Sequence, residues 1–279
     1  MRKNLQNYIQ MKTFKVSLII TTYNSPEYLK LSLKSVLSQT ILPDEILIAD
    51  DGSRESVVKE IDAFVKDFPI PVIHVWQPDN GFRLSTIRNK AIEKASGEYI
   101  IQIDGDIILH TDFIKDHIAN ARRGYYVGGS RCFIKKDYPL SLLSNPNPSF
   151  DTLSGNLESR YKSLRIPFLS KLLRSILHRN KITIRGCNMA YWREDAMRIN
   201  GYNEDFVSWG CEDCEFVIRL SNVGIKKTWL KFSGIAYHLY HNHASGNNYS
   251  ANNDLMLTAL NENKTWINNG IIKTINSDA

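Results

Sequence analysis

Seven residues, WGCEDCE at 209–215, set two cysteines at C-x-x-C spacing around two carboxylates, Glu212 and Asp213. Two chemistries compete for them. A structural zinc needs about four nitrogen or sulfur ligands, and the other cysteines, Cys132 and Cys187, stand singly. A redox dithiol needs a stabilised thiolate, which flanking carboxylates oppose. The acids are therefore the better candidates, as a pair suited to proton transfer, with the thiols as packing. A second acidic cluster is DGD at 104–106. Asp104 and Asp106 at the end of an apolar run make a hard-oxygen site for Mg²⁺ or Mn²⁺. An isolated Asp-Gly is more often a surface turn, but the apolar run leading straight into this one favours the metal. The third cluster, AYHLYHNH at 236–243, carries His238, His241 and His243. One of these could join Asp106 at a metal; taken singly, each reads better as a structural histidine.

These clusters have to be brought together by the elements around them. FKVSLII (14–20) reads as a buried strand ending in TTYN, with Ser25 as N-cap and Pro26 at the first helical position. Leu29, Leu33, Val36 and Leu37 then mark one helical face. EILIAD (45–50) is a second strand, ending in DDGS. A helix over about 54–67, a strand at PVIHVW and a helix over about 84–95 follow. A fourth strand, EYIIQI, runs into DGD. This alternation predicts a mostly parallel sheet flanked by helices. Ligands bind such sheets beyond the carboxyl ends of the strands, so TTYN, DDGS and DGD should converge on one crevice. The first turn, TTYNSP, has no glycine, which excludes a Gly-rich pyrophosphate cradle. A bound nucleotide would need another counter-charge, and a metal on DGD supplies it.

Past residue 125 the rhythm breaks. A long loop is expected over 136–160, and a helix over 165–179 through Leu169, Leu172, Leu173, Ile176 and Leu177. A strand near 182–191, a helix through Phe216–Leu220, a strand near 227–237 and a tail helix near 252–267 complete the reading.

The 279 residues are 43% hydrophobic and 23% charged, ordinary for a soluble globular protein. The basic N-terminus has no apolar run of secretory type, so the chain is expected in the cytoplasm, where four cysteines argue against a disulfide framework. Net charge is +6, yet eight Lys/Arg and no Asp or Glu lie between Arg160 and Arg185. The rest of the chain is slightly acidic, which excludes a broadly basic nucleic-acid binder. The basic helix has two readings: a core-facing helix with solvated cations, which is favoured, or an element lying on an anionic membrane with Lys171, Arg174 and Arg179 toward lipid. The second would place the protein at the inner face of that membrane.

Together VSLIITTYNSPEYLKLSLKSVLSQT, DEILIADDGS, DGD and GCNMAYWREDAMRINGYNEDFVSWGCEDCEFVIRL resemble the inverting family 2 glycosyltransferases of the GT-A fold. The likeness covers about 14–245, and the second half is similar to the galactosyl- and N-acetylgalactosaminyltransferase branch that includes bacterial chondroitin polymerases. It implies a nucleotide-sugar-binding half (1–125), an acceptor and catalytic half (126–245) and a helical tail (246–279). It also implies that Thr21, Tyr23, Asp51, Arg83, Asp104 and Trp209 bind a UDP-sugar. Asp106 and His238 would bind Mn²⁺ or Mg²⁺, with His241 a rival for the histidine position. Glu212 would bind the acceptor, a glycan or lipid-linked glycan, and Asp213 would be the base. The implied reaction moves galactose, N-acetylgalactosamine or a related hexose during surface polysaccharide synthesis. The alternatives are a nucleotidyltransferase on a similar sheet and a non-catalytic glycan-binding module. One departure from the family pattern is Asn200-Gly201-Tyr202 in place of Gly-Gly-Phe.

Overall fold

The computed structural model describes residues 13–138, 155–174, 184–241 and 249–273. The first half alternates β1 (Val16–Thr22), α1 (Pro26–Leu37), β2 (Glu45–Asp50), α2 (Glu55–Val65), β3 (Val72–Trp76), α3 (Leu84–Lys94) and β4 (Tyr99–Asp104). β1 pairs in parallel with β2 and β4, and β2 in parallel with β3. β1 is buried at every position, so both its faces must meet apolar partners. Val16, Leu18 and Ile20 face a core closed by Leu29, Leu33 and Val36 of α1 and Val57 and Ile61 of α2. Ile19 points the other way, into a core with Ile87, Ala91 and Ile92 of α3. This is the period-two alternation of a strand between two helix layers.

Beyond β4 come β5 (Ile107–Leu109), α4 (Phe113–Asn120), β6 (Tyr125–Gly128), β7 (Arg131–Ile134), β8 (Leu157–Glu158) and α5 (Pro167–Arg174). They are followed by β9 (Met189–Trp192), α6 (Arg193–Arg198), α7 (Glu212–Asn222), β10 (Lys226–Trp229), β11 (Ala236–His238) and α8 (Tyr249–Asn261). The main sheet runs β10-β6-β9-β4-β1-β2-β3, and a four-stranded sheet runs β5-β11-β7-β8. β9 is antiparallel to β4 and β6, so the sheet is mixed.

Several expectations need correction. The single strand near 227–237 is two strands in different sheets. Between them Phe232 (φ 61°) and Gly234 (φ 58°) take left-handed backbone that breaks an extended run. The strand near 182–191 is a short 3₁₀ turn, Gly186–Asn188, before β9; residues 182 and 183 lie outside the described part. Within the expected loop, Leu157–Glu158 pair with β7, and 139–154 are not described. Helix α5 is described only to Arg174, so the expected helical residues Ile176, Leu177 and Arg179 fall outside. The tail helix lies a few residues earlier than expected. Ser25 caps α1 by position alone, its hydroxyl donating to Tyr23 O instead.

α7 carries Glu212 and Asp213 in its first turn and is pinned by a buried ion pair in its middle. Arg219 Nε donates to Glu215 Oε1 at 2.6 Å, and its other nitrogens reach Ile199 O and Gly201 O at 2.5 and 2.7 Å. Both side chains are almost wholly buried. Removing one partner leaves the other charge uncompensated. Arg219→Ala should cost about 3–5 kcal/mol in urea denaturation, and Glu215→Gln should cost less.

Candidate active site

The carboxyl ends of β1, β2 and β4 meet as expected. Thr21, last but one in β1, donates through Oγ1 to Asp104 Oδ1 at 2.9 Å, tying β1 to the DGD turn. Gly105 follows, donating its N–H to Thr21 O at 2.7 Å. A Cβ on Gly105 would stand 2.8 Å from that oxygen, so glycine is required by close approach.

Beyond β2, Asp51 is buried and accepts from Gln77 Nε2 at 2.6 Å and from the Arg83 backbone N–H at 2.9 Å. Burial raises its pKa. Gly52 (φ 99°) lies so close to Asp79 that a Cβ would stand 2.6 Å from its Cα. Asp79 in turn accepts from the Tyr23 hydroxyl at 2.9 Å, and the Tyr23 ring is half exposed. Arg83 stands at the N-terminus of α3, and its backbone holds Asp51. A cleft of about 590 Å³, lined by Gln77, Arg83, Thr86 and Glu204 among others, adjoins this loop.

The metal candidates are placed by strand register. β11 is antiparallel to β5 with His238 opposite Ile107, so His238 sits beside Asp106, the residue before β5. His238 Nε2 is 3.4 Å and His241 Nε2 2.8 Å from Asp106 Oδ2. Ligand atoms from all three residues lie within 4.8 Å of one another. Asp106 Oδ1 is buried without a hydrogen-bond partner, an oxygen with capacity for a cation. Burial pushes His238 down to about 4, so it stays neutral and able to ligate. One carboxylate and two imidazoles suit Mn²⁺. His241 belongs to the cluster together with His238; His243 is outside the described residues.

WGCEDCE turns sharply into α7. Gly210 (φ 112°) and Cys211 (φ 69°) are both left-handed, which starts the helix at Glu212 and sets both acids at its N-terminus, where the helix dipole favours negative charge. Glu212 is buried and accepts from Gly210 N at 3.0 Å. Burial and the neighbouring Asp213 push it up to about 7. Asp213 accepts from Arg88 Nη1 at 2.9 Å, Gly186 N at 2.8 Å and the Tyr202 hydroxyl at 3.3 Å. Cys211 and Cys214 are free, and burial raises both thiols, so neither is a ready thiolate. Trp209 stands half exposed just ahead of the turn.

Arg88 joins the two acidic clusters and was not singled out from the sequence. It is almost wholly buried on α3, 2.9 Å from Asp213, 3.4 Å from Glu212 and 3.5 Å from Asp104. Burial opposes its charge, but these carboxylates more than offset that and raise its pKa. The signal was available: Arg88 lies on the stripe Leu84, Ile87, Ala91 that faces the core, where an unpaired cation is rare. Two further residues escaped notice. Gly186 packs so closely that a Cβ would stand 2.4 Å from Asp213 Oδ1. Gln102 accepts from Tyr191 and Tyr202 at 3.1 and 3.0 Å and donates to Gly186 O at 3.2 Å, which steadies the Asp213 cradle.

A mixed sheet of this order, with polar loops and a carboxylate–histidine cluster at its strand ends, defines a glycosyltransferase of the GT-A fold. The chain belongs to glycosyl transferase family 2, whose model matches residues 17–198. A model of the N-terminal domain of galactosyltransferase matches residues 175–242. Among curated proteins the chain is similar to chondroitin synthase of Pasteurella multocida, 27% identical over 81% of this chain and 25% of that protein. It thus spans about a quarter of that relative's length. Among solved structures, GalNAc-T7 with UDP, GalNAc and Mn²⁺ gives a TM-score of 0.60 at 19% identity, over 82% of this chain and 44% of that one. The mannosyltransferase PcManGT from Pyrobaculum calidifontis, with GDP-Man and Mn²⁺, gives 0.58 at 16% identity, over 88% and 66%. These last two likenesses establish the fold.

The Glu212 carboxyl has a raised pKa in the folded chain, so the folded state binds its proton more tightly than the unfolded state. Whatever stability this proton confers is complete below the usual carboxylate range and is lost as pH rises through about 7. Melting temperature should therefore fall more steeply between about pH 5 and pH 8, the range over which the raised carboxyl gives up its proton, in the wild type than in Glu212→Gln. Parallel slopes would show that the carboxyl titrates normally.

Proposed function

We propose that the chain transfers a hexose or N-acetylhexosamine from a UDP-sugar to a glycan acceptor, with inversion and with a divalent metal. The observation that carries this reading is that Arg88 reaches both Asp104, in the same turn as the Asp106–His238–His241 cluster, and the pair Glu212 and Asp213. Thr21, Tyr23, Asp51 and Arg83 form the nucleotide end. The exposed Tyr23 ring suits stacking on a base, and Asp51 is an acceptor for base or ribose donors. Asp104 would contact ribose or donor sugar, and Trp209 the sugar face.

Asp106, His238 and His241 would hold the metal. When bound, Mn²⁺ or Mg²⁺ neutralises the departing diphosphate. On the opposite side Asp213 takes the proton of the acceptor hydroxyl as that oxygen attacks the anomeric carbon and the bond to the diphosphate breaks. Arg88, Gly186 N–H and the Tyr202 hydroxyl hold the Asp213 carboxylate in place before the acceptor arrives. Glu212, its pKa raised by burial and by Asp213, can donate to or accept from the acceptor. UDP and an N-acetylhexosamine donor are supported by the named ligands of GalNAc-T7, and a polysaccharide role by the chondroitin synthase likeness. A glycan on a lipid anchor would bring the acceptor to the inner face of a membrane, with the chain in the cytoplasm.

Incubation with a panel of UDP-sugars and Mn²⁺ should release UDP, and excess EDTA should abolish the release. Pyrophosphate as the product would indicate nucleotidyl transfer instead; no turnover with any donor and acceptor would indicate a binding module. Asp213→Asn should lower transfer by about 10²–10⁴ while UDP binding persists. The Cys211→Ser, Cys214→Ser double variant should keep turnover within a small factor. An active Asp213→Asn beside an inactive double variant would return the chemistry to the thiols.

A further inference from the structure

The segment Arg160–Arg174 has an inner and an outer side. Its inner side is fixed to the loop that leads into β11. Ile166 N–H donates to Phe232 O at 2.9 Å, and the hydroxyls of Ser170 and Ser233 are 2.7 Å apart. Arg165 holds Asp116 through two bonds of 2.9 and 2.7 Å and reaches Asp112 at 3.0 Å. Leu169 and Leu173 are half buried on the same side as the buried Ser170. A core-facing helix needs no more than this.

The outer side is not accounted for by the core. Phe168 is 80% exposed and Leu172, one turn later, 52%. Tyr161, 72% exposed, and Leu164, 38% exposed, precede them on the run into the helix. Side chains of this size gain by leaving water, so four of them exposed along one short segment form an apolar surface of the kind that marks an interface. The surrounding charge selects the partner. Arg160 and Lys171 on this segment, and Lys231 next to the Phe232 that it binds, are exposed, and the sequence has no Asp or Glu from 160 to 185. The nearby acids Asp112 and Asp116 are already engaged by Arg165. A second copy of this chain would bring the same cations against themselves, and like charges in contact repel. An anionic bilayer meets both features, since aromatic and aliphatic side chains enter the headgroup boundary while Lys and Arg face lipid phosphate.

We infer that Phe168, Leu172, Tyr161 and Leu164, together with the exposed Arg160, Lys171 and Lys231, form a docking face for an anionic lipid bilayer. Docking there would hold the Phe232–Gly234 loop, and through β11 the His238 side of the crevice, near the membrane surface. The face stands on exposure and charge, and does not depend on the donor chemistry proposed above.

The test is co-sedimentation of the full chain with vesicles of phosphatidylcholine alone or mixed with phosphatidylglycerol. The wild type should bind the mixed vesicles, lose most of that binding at high salt, and leave the neutral vesicles largely unbound. Phe168→Ser with Leu172→Ser should weaken partition about tenfold or more, and Lys171→Glu should also weaken it. Both variants should keep the wild-type circular dichroism spectrum and release UDP from a soluble donor at the wild-type rate. Equal partition to both vesicle types, no partition to either, or unchanged binding by the double variant would overturn the inference. So would a concentration-dependent dimer that the double substitution abolishes in the absence of vesicle binding, because a second copy would then cover the face. Vesicle binding needs no turnover, so an inactive chain that still docks would count against the donor reading alone.

Discussion

The interaction on which the crevice depends is the Arg88 guanidinium among Asp104, Glu212 and Asp213. Three carboxylates in a poorly solvated space repel one another and would take up protons. One buried cation lets at least part of that charge persist, and it does so from α3, which belongs to neither acidic cluster. Its position over the Tyr202 ring, 5.1 Å from the centroid, adds a second partner. Tyr202 also stacks on Phe216 of α7 at 4.3 Å. The DGD turn, the Glu212–Asp213 pair and the core beneath α7 are thereby joined through one side chain. Losing it would leave buried carboxylates uncompensated, the costly way to break a buried ion pair.

The remaining architecture serves to deliver groups to this centre. Parallel pairing of β1 with β2 and β4 sets Thr21, Asp51 and Asp104 at neighbouring strand ends. The small second sheet brings in a histidine from more than a hundred residues later, because antiparallel register between β5 and β11 leaves His238 beside Asp106. The Asn200-Gly201-Tyr202 departure also acquires a physical account. Asn200 adopts φ 65°, which asparagine tolerates better than most residues. Its side chain binds Ile267 O, Ile272 O and Ile272 N, holding the C-terminal segment in place. The Tyr202 hydroxyl, absent from phenylalanine, is the group that reaches Gln102 and Asp213.

Much of this was legible in the residues. The strand–helix alternation to residue 104 was readable because buried parallel strands are continuous apolar runs bounded by polar turns. The acids of WGCEDCE outranked its thiols on ligand count and thiolate chemistry, and burial raises both thiols. Arg88 was missed because helix periodicity attends to apolar positions and treats a charge as surface. Gly186 was missed because its role is the absence of a side chain against Asp213, visible only when two distant segments meet. The split of 226–238 into two strands was hidden for a similar reason: Phe232 carries no mark in its side chain of its left-handed backbone. The basic helix shows two answers at once, an inner side on the core and an outer side that composition had flagged.

The most direct measurement of the account is the anomeric configuration of the first product. In the proposed reaction Asp213 is the base and the acceptor attacks opposite the departing diphosphate, in one displacement. From an α-linked UDP-sugar, proton NMR of the isolated product should show a β-glycosidic linkage. An α-linkage would mean retention, and would contradict the assignment of Asp213 as base in a single inverting step.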